Sequence, residues 1–123
     1  MNDTKFSVNN YNGCTVSCSK TRWDEHVVGH HQIMENNEKA VKDTIKNPDA
    51  VYESKELPKR EIYFKSSEFS TYKALTKVIV EYSQGIKNPG NIVGELVTAF
   101  PSKEERGGIG NVVYRKNQDW LWL

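Results

Sequence analysis

The sequence contains no run of apolar residues long enough to span a bilayer, so it offers no transmembrane helix. It has two cysteines, Cys14 and Cys18, too few for the disulfide framework of a small secreted domain. Its first residues lack the apolar segment of a secretory signal, so we expect a cytoplasmic protein with free thiols. The 17 Lys and Arg against 16 Asp and Glu exclude a strongly basic, histone-like protein.

The 123 residues, 37% hydrophobic and 27% charged, are typical of one globular domain. We predict a single domain over residues 1–123 with its core at about residues 22–102. Residues 1–21 would form an amino-terminal hairpin or arm, and residues 117–123 an aromatic tail. Charge is unevenly distributed, with four basic and seven acidic residues over 22–53 but eleven basic and seven acidic over 55–116. A polyanion would therefore prefer the second half of the chain.

Local patterns place helices before most of the strands. Asn12-Gly13 lies between two β-rich segments and predicts a hairpin of residues 5–8 and 14–18. Helical spacing predicts two helices, over about residues 21–33 and 37–46, the second ended by Asn47-Pro48. Further strands are predicted at residues 50–52, 61–65, 72–82, 92–100 and 112–114, with a turn at 88–91. Helices followed by adjacent strands indicate an α+β fold with an antiparallel sheet.

The three histidines, His26, His30 and His31, fall within six residues. Histidine is the side chain that exchanges protons near neutral pH without assistance. On a helix, Arg22, His26 and His30 would share one face, with His31 rotated away by about 100°. Two interpretations stay open: proton-transfer groups beside a phosphate, or histidines on an ordinary helix surface.

The predicted strands add groups that could complete a site. Tyr63 and Lys65 alternate onto one strand face, Lys77 lies on the next strand, and Thr98 interrupts an apolar run. Metal-free RNA cleavage needs a base for the 2′-OH, an acid for the leaving oxygen and cations for the phosphate charge. These side chains with the histidines would supply all three.

A zinc site and a role for the terminal residues are two further hypotheses. Cys14 and Cys18 with His26 and His30 could hold a structural zinc ion, although a CxxxC pair is not a usual zinc motif. The zincin motif is excluded because Val27, not glutamate, follows His26. The terminal apolar residues would form either a docked strand or an exposed patch for a partner or nucleobase; they are Trp120, Leu121, Trp122 and Leu123.

The order of short motifs resembles the phage-encoded branch of the barnase–EndoU–colicin–RelE nuclease superfamily. The motifs begin with His26-Val27-Val28-Gly29-His30-His31 and continue with Ile45-Lys46-Asn47-Pro48-Asp49-Ala50-Val51, Arg60-Glu61-Ile62-Tyr63-Phe64-Lys65, Lys77-Val78-Ile79-Val80-Glu81 and Val97-Thr98-Ala99-Phe100-Pro101. The resemblance covers about residues 22–102. One departure is His30, which stands where the family pattern has arginine, a stronger phosphate ligand.

The resemblance implies two amino-terminal helices packed on a curved, mainly antiparallel sheet of about four strands, with the site on the open sheet face. It implies a metal-independent endoribonuclease of toxin or phage type that needs no cofactor and leaves a 2′,3′-cyclic phosphate, tRNA being one candidate substrate. It assigns catalysis to His26, His31, Lys65 and Thr98. We add Arg22, His30, Tyr63 and Lys77 as substrate-binding residues.

The expected partners are RNA and a cognate immunity or antitoxin protein, and no membrane. The alternative is a non-catalytic module that binds RNA or protein on the same scaffold.

Overall fold

The computed structural model describes residues 3–69, 72–83 and 92–116. The strands are β1 (Thr4–Asn9), β2 (Thr15–Ser19), β3 (Ala50–Ser54), β4 (Arg60–Phe69), β5 (Tyr72–Tyr82), β6 (Val93–Ser102) and β7 (Ile109–Arg115). The helical segments are a π-helical segment (Arg22–Val28), a 3₁₀ turn (Gln32–Asn36) and one α-helix, α1 (Glu38–Lys46).

The strands form one mixed sheet of seven strands in the order β1-β2-β6-β5-β4-β3-β7. All neighbours are antiparallel except β2 and β6, which run parallel. The expectation of two helices on a mainly antiparallel sheet of about four strands is therefore wrong. The sheet is larger because it gains strands at both edges.

At one edge, the predicted amino-terminal hairpin is confirmed and becomes part of the sheet. β1 pairs with β2 antiparallel through a turn at Gly13, whose φ of 83° suits glycine. β2 then pairs with the first residues of β6, where Val16 lies opposite Gly94. At the other edge, β7 is added alongside β3.

The predicted helix over residues 21–33 is also wrong, because the chain there forms two short helical pieces. The π-helical segment ends at Val28 and is followed by Gly29, where an added Cβ would overlap the carbonyl oxygen of Glu25. Only glycine permits so tight a turn. The second predicted helix is confirmed as α1, which buries Val41, Thr44 and Ile45.

The core lies between these helical pieces and one face of the sheet. Its side chains include Trp23 and Val27 of the π-helical segment and Met34 of the 3₁₀ turn, packed with Val78 and Leu96 of the sheet. The sheet curves strongly around this core. Tyr11, which follows the edge strand β1, contacts Tyr114 of the opposite edge strand β7, their ring centroids 4.8 Å apart.

Two sequence predictions fall on residues outside the described ranges: the turn at 88–91 and the aromatic tail at 117–123. Within the described ranges, no helix has the length and apolar character that crossing a membrane requires.

Candidate functional site

The predicted histidines lie on and just beyond the π-helical segment. Trp23 and Val27, four residues apart, anchor this segment to the core, which leaves His26 exposed on its outer side. His30 follows Gly29 and is also exposed. The imidazole rings of His26 and His30 are neighbours, with centroids 6.2 Å apart. Both rings are therefore accessible to a ligand from solvent.

His31 packs against the sheet. Its ring stacks on Phe100 of β6, with centroids 4.8 Å apart and an angle of 23° between the planes. Partial burial lowers the pKa of His31, and the adjacent His30 lowers it further. His31 therefore favours its uncharged form more than an ordinary histidine does.

Lys77 also lies close to Phe100. It is only 6% exposed, and its Nζ lies 5.3 Å from the centroid of the Phe100 ring and 5.7 Å from that of Phe64. The ammonium donates to the carbonyl oxygens of Arg106 and Gly107, at 2.8 and 3.0 Å. Burial lowers the pKa of Lys77, and Arg106 adds to this effect. Lys77 thus ties the 103–108 loop to the open face of the sheet.

Thr98 and Arg22 complete this region. In the β5–β6 register, Thr98 lies opposite Ile79 and Phe100 opposite Lys77, so Thr98 shares the face of Phe100 and Lys77. Arg22 Nη1 donates to the carbonyl oxygen of Val97 at 3.5 Å, where a register shift marks a bulge in β6. Arg22 thereby links the π-helical segment to β6.

We call this region the histidine–β6 surface. It comprises six of the predicted site residues together with Phe100; the residues are Arg22, His26, His30, His31, Lys77, Thr98 and Phe100.

Tyr63 and Lys65 are not part of this surface. Phe64 lies opposite Lys77 and shares its face, so the flanking residues 63 and 65 point to the helix side of the sheet. Tyr63 is fully buried there. Lys65 Nζ donates to the carbonyl oxygen of Asn47 at 2.9 Å and lies 3.9 Å from the Asp49 carboxylate. The hydrogen bonds and ion pairs of the described residues join neither side chain to a histidine.

The zinc hypothesis finds no support in the positions of its four residues. Cys14 and Cys18 lie four positions apart along extended chain, a distance of about 13 Å. Burial raises the pKa of Cys18 to about 12, which disfavours the thiolate that a metal needs. No three His, Cys, Asp or Glu side chains of the described residues lie close enough together to hold a metal ion.

Sequence reasoning missed a second polar cluster, on the helix side of the sheet. Tyr82 and Tyr11 each donate from their hydroxyl groups to Oε1 of Glu61, at 2.9 and 3.4 Å. Asn10 Nδ2 donates to the hydroxyl oxygens of Tyr63 and Tyr82, at 3.0 and 3.2 Å, and these two hydroxyls also contact each other. Because Tyr82 donates its only hydroxyl proton to Glu61, the hydrogen bond between the two tyrosines must be donated by Tyr63.

The sequence carried one usable signal for this cluster. Glu61 and Tyr63 alternate on β4 and so share a face, which places a carboxylate beside a core tyrosine. Phe100 was visible in the Val97-Thr98-Ala99-Phe100-Pro101 motif but was not assigned a role. The loop carbonyls that bind Lys77 have no sequence signature.

Comparison of the chain with known protein families, curated proteins and solved structures gives no match. The resemblance to the nuclease superfamily therefore stays a prediction.

Proposed function

We propose that the histidine–β6 surface binds RNA and cleaves it without a metal ion, by attack of a ribose 2′-OH on the adjacent phosphate. The observation that carries this proposal is the stacking of His31 on Phe100 beside the buried ammonium of Lys77. A proton acceptor, an aromatic face and a fixed positive charge thus lie next to each other, with two more histidines nearby. These are the groups that RNA binding and phosphoryl chemistry use.

In this proposal His31 is the general base. Its lowered pKa keeps it uncharged at neutral pH, so it can accept the 2′-OH proton. The 2′-oxygen then attacks phosphorus, and the bond from phosphorus to the 5′-oxygen breaks. His26 donates the proton that the leaving oxygen needs. The products are a 2′,3′-cyclic phosphate and a 5′-OH end.

The remaining residues of the surface assist binding. Lys77 acts through its charge rather than by contact with phosphate, because its ammonium already donates to two loop carbonyls. Thr98 offers a hydroxyl donor on the same face, and the exposed His30 is a further phosphate ligand. In the nuclease proposal, a cognate immunity or antitoxin protein would inhibit the enzyme by covering this surface.

One observation favours a second candidate, a non-catalytic RNA-binding module. Lys65 was expected to neutralise phosphate charge directly, but it lies on the helix side of the sheet bound to Asn47. The surface therefore lacks the strand cation that the family pattern puts in contact with the phosphate. A protein of this kind would bind RNA and leave it intact.

The decisive experiment incubates the purified protein with labelled RNA in EDTA and resolves the products on a denaturing gel. We expect wild type to yield fragments with cyclic phosphate ends. The His26→Ala/His31→Ala variant should lose at least about 100-fold in rate, since each general acid or base contributes that much or more. The Gln32→Ala/Asn36→Ala variant, which changes two exposed neutral residues nearby, should keep the wild-type rate.

Undiminished cleavage by the histidine variant would contradict the mechanism, as would cleavage that requires an added metal ion. Fluorescence anisotropy with the same RNA separates the two candidates. Binding by wild type without any product would replace the nuclease by the binding module.

A further inference from the structure

A cavity of about 510 Å³ opens at the end of the sheet where the Tyr–Glu cluster lies. Its walls carry the side chains of Tyr11, Tyr82 and Glu61, with Pro58 and Val113 among the apolar contributors. None of the eight predicted site residues lines it. The cavity and the histidine–β6 surface are thus separate sites.

The carboxylate of Glu61 in this cavity has no cationic partner among the described residues. Its hydrogen bonds come from two tyrosine hydroxyls, and both end on Oε1. No ion pair to Glu61 exists in the described part of the chain. Partial burial raises the pKa of Glu61; the hydrogen bonds from Tyr82 and Tyr11 offset part of this rise, and the nearby Glu53 adds to it.

The basic residues at the cavity do not supply this partner. Arg60 Nε is bound to Oε1 of Glu81 at 2.7 Å, so its charge is already matched. Lys59 and Glu53 both line the cavity, and both are exposed, so the acidic Glu53 stands against the charge of Lys59. The walls therefore present a half-buried, unpaired negative charge between aromatic rings.

The ring of Tyr11 is held firmly in place. It meets Tyr63 edge-on, with centroids 5.7 Å apart, and packs on Tyr114 at 4.8 Å. Aromatic faces attract cations, and a planar guanidinium or amidinium both stacks on such faces and forms paired hydrogen bonds to a carboxylate. An ionised carboxylate has about four acceptor positions, of which the two phenols occupy two.

We propose that this cavity binds a small planar organic cation of the amidinium or guanidinium class, with Glu61 as counter-ion and Tyr11 and Tyr82 as walls. The cation would occupy the free acceptor positions of the carboxylate and offset the cost of its burial. A neutral or anionic molecule of the same shape would gain neither interaction. This proposal is independent of the proposed RNA cleavage.

The test titrates the full chain with benzamidine, and separately with benzamide and benzoate, followed by calorimetry and by ¹H–¹⁵N NMR spectra. Benzamide matches benzamidine in shape but carries no charge. We expect benzamidine to bind at least about tenfold more tightly than benzamide, with amide shifts confined to residues at the cavity. Equal affinity for the two, tighter binding of benzoate, or no binding of benzamidine at millimolar concentration would each overturn the proposal.

A pair of variants tests the role of the carboxylate. Glu61→Gln keeps an oxygen that can accept from both tyrosines but removes the charge, and it should weaken benzamidine binding by about 10- to 100-fold. Glu95→Gln makes the same change at an exposed position of β6 outside the cavity and should leave binding unchanged. Retained binding in Glu61→Gln would refute the assignment. If that variant does not fold, the comparison of benzamidine with benzamide on wild type still decides.

Discussion

The contact between Lys77 and the 103–108 loop gives the sharpest test of the histidine–β6 surface, through two neighbouring glycines. Gly107 and Gly108 have φ values of 91° and 72°, so alanine at either position is strained by about 1–2 kcal/mol. A Cβ at Gly107 would overlap Nζ of Lys77, whereas a Cβ at Gly108 meets nothing within 4 Å. Both substitutions therefore strain the backbone to a similar extent, but only Gly107→Ala displaces the ammonium of Lys77.

The magnitude follows from the hydrogen bonds of Lys77. Displacing Nζ breaks its 3.0 Å bond to the Gly107 carbonyl and distorts the 2.8 Å bond to the Arg106 carbonyl. A hydrogen bond from a charged donor contributes about 1.5–3 kcal/mol. We expect Gly107→Ala to lower the free energy of unfolding by about 2 kcal/mol more than Gly108→Ala.

Urea denaturation followed by tryptophan fluorescence measures this difference directly. A double-mutant cycle then identifies its cause. In a Lys77→Met background, which has no ammonium to displace, the two alanine substitutions should cost the same. Equal costs in the wild-type background, or an excess cost at Gly107 that survives in Lys77→Met, would refute the reasoning.

Two predictions concern titration. Because the pKa of Glu61 is raised in the folded protein, ionisation of this carboxyl lowers the free energy of unfolding. The loss is absent below the ordinary pKa of 4.5 and complete above the folded-state pKa. The stability of Glu61→Gln relative to wild type should therefore rise with pH through that window in chemical denaturation at several pH values; a constant difference would contradict this. The pKa of His31, measured by NMR titration, should lie below the ordinary 6.5 and rise toward it in Phe100→Ala, because the covering ring is gone; an unchanged value would show that Phe100 does not bury the imidazole.

The sequence predicted the local elements better than their assembly. Strands were expected close to where β3 to β7 lie, and the hairpin and α1 were placed correctly. The four-stranded sheet came from the family resemblance, although the local patterns already implied more strands. Strand pairing depends on residues far apart in the sequence, so the local pattern of β2 does not predict that it pairs with β6.

The candidate site shows the same division. Alternation correctly put Tyr63 and Lys65 on one face of β4, but not on a particular side of the sheet. Apolar residues occupy both faces of this strand, with Ile62 and Phe64 on one and Tyr63 on the other, so hydrophobicity does not mark the core face. The spacing of Trp23 and Val27 suits an α-helix and a π-helical segment alike, so it did not show that the chain forms two short helical pieces here.

The parallel pairing of β2 with β6 has a consequence for how the protein is made. Val16 and Gly94 lie opposite each other although 78 residues separate them along the chain. During synthesis the apolar side of the amino-terminal hairpin therefore stays uncovered until the residues of β6 have left the ribosome. Contacts so distant in sequence slow folding and prolong exposure to aggregation. Nascent chains halted before residue 93 should engage chaperones, because the strand that shelters the hairpin does not yet exist.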